Sequence, residues 1–168
     1  MPEFRTGSLG DLLEVVTWIR SPEDCRLWSG DRLSFPVDIK SVETDIGFAT
    51  ARPWSLIGDG TLLGFGQIHP KPLARLHLAQ LIVNPGHRGR GLGKVLVAHL
   101  LQLAMKSQPA SVSLNVESSN TVALSIYRGL GFLPSERPVD EPASESIYMA
   151  RHADSGLRII DNTTPETF

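Results

Sequence analysis

Residues 85–97 read PGHRGRGLGKVLV, in which Gly86, Gly89, Gly91 and Gly93 are interleaved with Arg88, Arg90 and Lys94 ahead of an aliphatic run. Backbone bared by glycine, flanked by cations and opening a helix is suited to phosphate: N–H groups reach the oxygens and the helix dipole favours negative charge. A plain joint between loop and helix explains one or two of these glycines, not four. Two nucleotide-binding patterns fail residue by residue. A Walker A loop needs glycine where Arg88 stands and a hydroxyl where Val95 stands. A dinucleotide fingerprint needs a third glycine where Lys94 or Leu96 stands. The predicted ligand is a pyrophosphate that carries an arm.

Arg88-Gly89-Arg90-Gly91-Leu92-Gly93 resembles the Arg/Gln-x-x-Gly-x-Gly/Ala signature of the GNAT superfamily of N-acetyltransferases. LIVNP, just before it, is similar to the strand end that leads into that loop. NTVALSIYRGLGF at 120–132 resembles the family's second hallmark, Asn-x-x-Ala-x-x-x-Tyr-x-x-x-Gly-Phe. The likeness covers residues 74–134 well and the N-terminal 52 only through element order. It implies one α/β (α+β) domain with a mixed, mostly antiparallel sheet, splayed central strands and helices on both faces. That domain would span residues 1–151, followed by a polar tail at 152–168. The implied activity moves an acetyl group from acetyl-coenzyme A directly to a primary amine of a small molecule or peptide. A noncatalytic acyl-coenzyme A binder and an O-acyl or longer-chain acyltransferase are the rival readings.

The resemblance also implies roles. Backbone N–H groups of Arg88, Gly89, Arg90, Gly91, Leu92 and Gly93 would hold the pyrophosphate. The side chains of Arg88, Arg90 and Lys94 would lie near it, although Arg90 and Lys94 read equally as a solvated helix start. Leu81, Ile82 and Val83 would pair with the pantetheine arm, and the Leu81 N–H would face the thioester oxygen. Asn120 would cap a helix beside the arm. Tyr127 would protonate the leaving thiolate, while its helical spacing with Ala123 and Leu130 also suits a core aromatic.

The base is less sharply marked, because Asn115 stands where one branch of the family carries glutamate. His77, eleven residues before Arg88, aligns with the base of another branch. Strict strand alternation would place it on the same face as Leu81. A histidine hydrogen-bonded beside Gln67 is the alternative. Glu117 is the second candidate base, and His69 and Gln80 are candidate substrate contacts. Trp28, Phe35 and Trp54 could line an acceptor site, although buried aromatics are more often core, and Asp24, Asp31 and Asp38 could attract a cationic amine or simply be solvated.

Positioning these groups requires a strand before the glycines and a helix after them. A strand at Ala74–Val83 and a helix at Leu92–Met105, with Leu92, Leu96, Leu100 and Leu103 as its buried stripe, meet that need. Upstream, a strand over Glu3–Thr6 leads to a helix capped by Ser8 that runs to Ile19, and Ser21-Pro22-Glu23 starts a second helix. Asp59-Gly60 joins strands Trp54–Ile57 and Thr61–Ile68 as a hairpin. Residues 30–52 show no clean period. Downstream come a strand at Ser111–Val116, a helix at Thr121–Arg128 and a strand at Ser146–Met149.

Composition narrows the partners. A net charge of -2 offers no global field for nucleic acid, and none is expected as a partner. Cys25 is the only cysteine, so neither an internal disulfide nor a cysteine-ligated zinc is possible. No metal is expected, and the thiol reads as a packing residue. The start MPEFRTGSLGD lacks the features of a signal peptide, and no run is long enough to span a membrane, so a cytoplasmic monomer or homodimer without membrane contact is expected.

Overall fold

The computed structural model describes residues 1–153, within which seven strands form one sheet in the order β1-β2-β3-β4-β5-β7-β6. In chain order these are β1 (Glu3–Thr6), β2 (Arg52–Gly58), β3 (Thr61–Lys71), β4 (Arg75–Val83), β5 (Ser111–Val116), β6 (Leu133–Pro134) and β7 (Ile147–His152). The helices are α1 (Leu9–Thr17), α2 (Pro22–Ser29), α3 (Val42–Asp45), α4 (Leu92–Met105) and α5 (Thr121–Gly129). Every neighbouring pair of strands is antiparallel except β4 and β5.

Two apolar layers sandwich the sheet. On one face α4 and α5 bury Leu96, Val97, Leu100, Leu101, Ala104 and Tyr127 against Leu76, Leu78, Val112 and Leu114. The other face carries α1, α2 and α3, whose Leu12, Val15, Cys25, Trp28 and Val42 close over Phe65 and Ile82. Leu92 and Leu103 are only half-buried, so the stripe on α4 is broader than four leucines and turned toward Val97 and Leu101. Cys25 is buried, as a packing residue should be.

Local chemistry fixes the joints. Ser8 and Asp11 form a reciprocal capping box at the start of α1, and Arg5 grips the Asp11 carboxylate through two bonds of 2.6 and 2.9 Å. Asp59 and Gly60, both at positive φ (48° and 74°), close the predicted hairpin. α1 stops at Thr17 rather than Ile19, because Trp18 and Ile19 tighten to i−3 bonds and turn into the core. β7 extends to His152, beyond the predicted Met149, since its pairing with β5 continues to Ser111. The rest of the predicted tail lies outside the described residues.

Two departures from regularity make room at the centre. Pairing of β4 with β5 stops after Arg75↔Ser111, Leu76↔Val112 and His77↔Ser113, although β4 continues to Val83. Within β4, the steps Phe65↔Ile82 and Gln67↔Ala79 show one extra residue opposite β3, and Gln80 sits there at φ 50°. The bulge is held from both sides: Trp28 Nε1 donates to the Gln80 carbonyl (3.1 Å), and Gln67 Nε2 donates to Gln80 Oε1 (3.0 Å). It also reverses the strand's alternation. His77 and Leu81, expected on one face, lie on opposite faces, with Leu81 packed toward the α4 layer and His77 toward the α2 side.

Candidate active site

The open seam between β4 and β5 leads into a cavity of about 760 Å³. Leu81, Ile82 and Val83 line it on one side, Asn120 and Tyr127 on another, and Arg88, Gly89, Gly91, Leu92, Gly93 and Lys94 form its rim. Gly91 caps α4 in the left-handed region (φ 76°), with no side chain bonded to the helix start and no acidic residue in the first turn. A Cβ built on Gly89 or Gly91 would meet nothing within 4 Å, so open space faces the bare backbone. Gly93 serves packing instead, since a Cβ there would lie 3.4 Å from Ile126 Cδ1 and its small size lets α5 close on α4. Arg90 does not line the cavity; its guanidinium turns to His87 Nδ1 at 3.3 Å.

Asn120 caps α5 as the sequence suggests, its Oδ1 accepting from the Ala123 N–H (3.2 Å). Tyr127, further along the same helix, is only 7% exposed and packs edge-on against Phe132, as its helical spacing suggests for a core aromatic. Its hydroxyl has no hydrogen-bond partner among the described residues, while the residue lines the cavity. Burial pushes the phenol up to about 12, which keeps it a proton donor throughout the neutral range.

A smaller cavity of about 240 Å³ lies on the α2 side and shares Leu27 and Trp28 with the first. His77, Gln80, Asn115 and Glu117 line it. Arg137 Nη1 donates to Asn115 Oδ1 (2.9 Å), which turns the Asn115 amide nitrogen toward His77 Nε2 (3.4 Å). With Nε2 accepting, the proton of neutral His77 sits on Nδ1 and is donated to Ser113 Oγ (2.7 Å). Desolvation, helped by the charges of Lys71, Arg32 and Arg137, pushes His77 down to about 3. Glu117 is half-exposed at the end of β5.

A model of the acetyltransferase (GNAT) family matches residues 17–132. The chain belongs to the GNAT family. Streptothricin acetyltransferase of Streptomyces lavendulae is 35% identical to it over 86 residues, covering 50% of this chain and 46% of the relative. The chain thus spans less than half the length of that curated relative. The ribosomal-protein-S18-alanine N-acetyltransferase of Escherichia coli superposes with a TM-score of 0.68 at 22% identity, over 91% of this chain and 94% of the other. Aminoglycoside acetyltransferase AAC(6')-Ib in complex with coenzyme A gives 0.68 at 19%, over 90% and 95%. These two likenesses show the GNAT fold.

Seen as a GNAT domain, the chain brings the glycine stretch, Leu81 to Val83 of β4, Asn120 and Tyr127 around one cavity, and places His77 and Glu117 in the adjoining one. Several expected acceptor residues lie elsewhere. Trp54 packs against His99 on the α4 face, Phe35 is on the surface, and Asp38 accepts from the Lys40 N–H. Asp24 borders the larger cavity and Asp31 the smaller. His69 lies beneath, bonded to Gln67 Nε2 at 3.1 Å, so the histidine expected beside Gln67 is His69 and not His77. Sequence reasoning missed Arg137 and Glu141, both lining the smaller cavity. Their only local sign is charge in a segment without period. Among the described residues no group of three or more His, Cys, Asp or Glu is placed to hold a metal, and no helix is long and apolar enough to cross a membrane.

Proposed function

We propose that this GNAT protein transfers an acetyl group from acetyl-coenzyme A to a primary amine by direct attack in a ternary complex. One observation carries the reading: two cavities, one rimmed by a bare helix start and the other lined by His77 and Glu117, meet at Trp28 beside the open seam of the sheet. The donor set fits the proposed ligand, because uncapped N–H groups at α4, the Arg88 and Lys94 cations and the open space over Gly89 and Gly91 suit a pyrophosphate. Acetyl-coenzyme A, when bound, supplies an activated thioester.

The chain's own residues do the rest. β4 offers the backbone of Leu81 to Val83 along the unpaired edge, and the bulge at Gln80 directs the Leu81 N–H toward the oxygen on which charge develops. Tyr127, kept protonated by burial, hydrogen-bonds the departing sulfur as charge develops there, and the phenol regains from solvent any proton that it gives up. His77 stays unprotonated at neutral pH and relays rather than stores a proton, while Glu117, close to solvent, receives it through water. Cys25 lines neither cavity, in keeping with transfer that involves no acyl-cysteine.

The test has two readouts. Millimolar acetyl-coenzyme A is expected to raise the melting temperature, because a ligand bound only by the native state stabilises it. Thiol release should then appear with at least one member of a panel of polyamines, aminoglycosides, amino acids and peptide N-termini. Binding without release under any condition would favour a noncatalytic acyl-coenzyme A binder, and no binding would remove the cradle reading.

A further inference from the structure

The smaller cavity carries charge that its own ion pairs do not use up. Lys71 is matched by Glu141 at 3.3 Å, and Arg26 by Glu23. Arg137 is held only by neutral acceptors: Asn115 Oδ1 at 2.9 Å, the Ser146 carbonyl at 2.9 Å and Ser146 Oγ at 3.2 Å. Its guanidinium also lies 5.4 Å from the centre of the Tyr148 ring, which fixes the plane of the fork. Nη2 is engaged by Ser146 and one Nη1 hydrogen by Asn115, so a single Nη1–H and the Nε–H remain, each able to make one bond to a ligand. Arg32, on the same wall, forms no salt bridge among the described residues. Asp31 and Glu117, also lining this cavity, form none either.

Placement of these charges is as informative as their number. One amide, Asn115, separates the Arg137 guanidinium from His77 Nε2, with contacts of 2.9 Å on one side and 3.4 Å on the other. A group bound by Arg137 therefore lies a few bonds from an amine presented at His77. With a volume of about 240 Å³ the cavity is also below the usual size for drug-like ligands, which points to a small acceptor. Positive charge from Lys71, Arg32 and Arg137 already reaches His77, after desolvation, as a force against its protonation. A polycation would add to that repulsion, whereas a zwitterion would relieve it.

We infer that the acceptor is a small amino acid whose carboxylate is bound by Arg137 and Arg32 while its amine lies between His77 and Glu117. The fork of Arg32 matches the two oxygens of a carboxylate and Arg137 adds its charge and one Nη1–H, a combination that an ester or amide cannot exploit. This inference rests on the acetyltransferase reading above, and the experiment separates the two.

Purified protein saturated with acetyl-coenzyme A would be assayed for thiol release with small amino acids, their methyl esters and amides, the matching decarboxylated amines, and spermine. The expected result is kcat/KM at least tenfold higher for the free acids than for any uncharged or cationic analogue. Arg32→Gln, an exposed position that should fold normally, is expected to raise KM for the acid about tenfold and bring the acid-to-ester ratio near one. Arg137→Lys, which keeps the charge and loses the fork, should act likewise. Esters, amides or spermine turned over as well as the acids would overturn the carboxylate site and leave the acetyltransferase reading standing. No release with any amine, while acetyl-coenzyme A still raises the melting temperature, would overturn both.

Discussion

Replacing Tyr127 with phenylalanine separates catalysis from packing because the hydroxyl has no partner to lose. The ring packs edge-on to Phe132 at 6.2 Å, a contact that phenylalanine keeps. Since the hydroxyl bonds to nothing among the described residues, its removal leaves no buried donor or acceptor unsatisfied. Stability of the ligand-free protein should therefore stay within about 1 kcal/mol, equivalent to roughly 2 to 4 °C in melting temperature for a domain of this size. The rate should respond differently. A positioned general acid contributes typically about 100- to 10,000-fold, and a thiolate leaves more readily unaided than an alkoxide or amide ion, which favours the low end. A fall in kcat of about 100-fold corresponds to about 2.7 kcal/mol of barrier. Calorimetry should find acetyl-coenzyme A affinity almost unchanged, and steady-state thiol release should show the loss in kcat. An unaltered kcat, or a loss of rate matched by an equal loss of affinity or of ligand-free stability, would refute the assignment of Tyr127 as the acid.

Gly91→Glu should weaken acetyl-coenzyme A binding more than about 100-fold by calorimetry, since its side chain would carry negative charge into the open space over the helix start, and near-normal affinity would place the cradle elsewhere. Trp28→Phe leaves the Gln80 carbonyl without its donor, so stability should fall by about 1 to 3 kcal/mol and kcat should fall with it as the bulge loosens; an unchanged melting curve would show that the bulge does not depend on the indole. Stability should also decline in mild acid. His69 and His77 are held down to about 4 and about 3, chiefly by desolvation, so below the unfolded value of about 6.5 the unfolded chain binds protons that the native chain refuses. Their contribution is complete above about pH 6.5 and is lost on acidification toward pH 4, at up to about 1.4 kcal/mol per pH unit for each histidine. Denaturant melts equal at pH 7 and pH 5 would contradict this.

What could be read from the sequence was what is encoded locally. Four glycines among cations fall within a dozen residues at a helix start, and Asn120 and Tyr127 fall at the cap and on the body of one short helix, so a local motif resemblance could relate them. The hairpin at Asp59-Gly60 and the cap at Ser8 were legible for the same reason. The switch of faces in β4 was not, because the residue at positive φ is Gln80, a type that gives no sign of a bulge, and its geometry is imposed by Trp28 and Gln67 from distant parts of the chain. The smaller cavity was hidden too. Arg137 reaches Asn115 only because β7 pairs with β5 and brings the 135–146 segment alongside, a long-range contact that no local pattern announces. Between an acceptor wall and the core, Trp54 takes the core, because its register opposite Gly66 sends the indole to His99.

A sheet normally opens from its rim, with the central strands the last to exchange their amide hydrogens with solvent. Here the central pair parts company after His77, so backbone groups in the middle of the fold face an internal edge. Isotope labelling should therefore find the amides of Leu81 and Val83, which point away from β3, exchanging faster than those of β2, a strand nearer the rim, and slowing most if the arm of acetyl-coenzyme A completes the ladder. On the proposed reading the pantetheine arm would act as a removable strand, and the supply of a metabolite would set how tightly the molecule is shut.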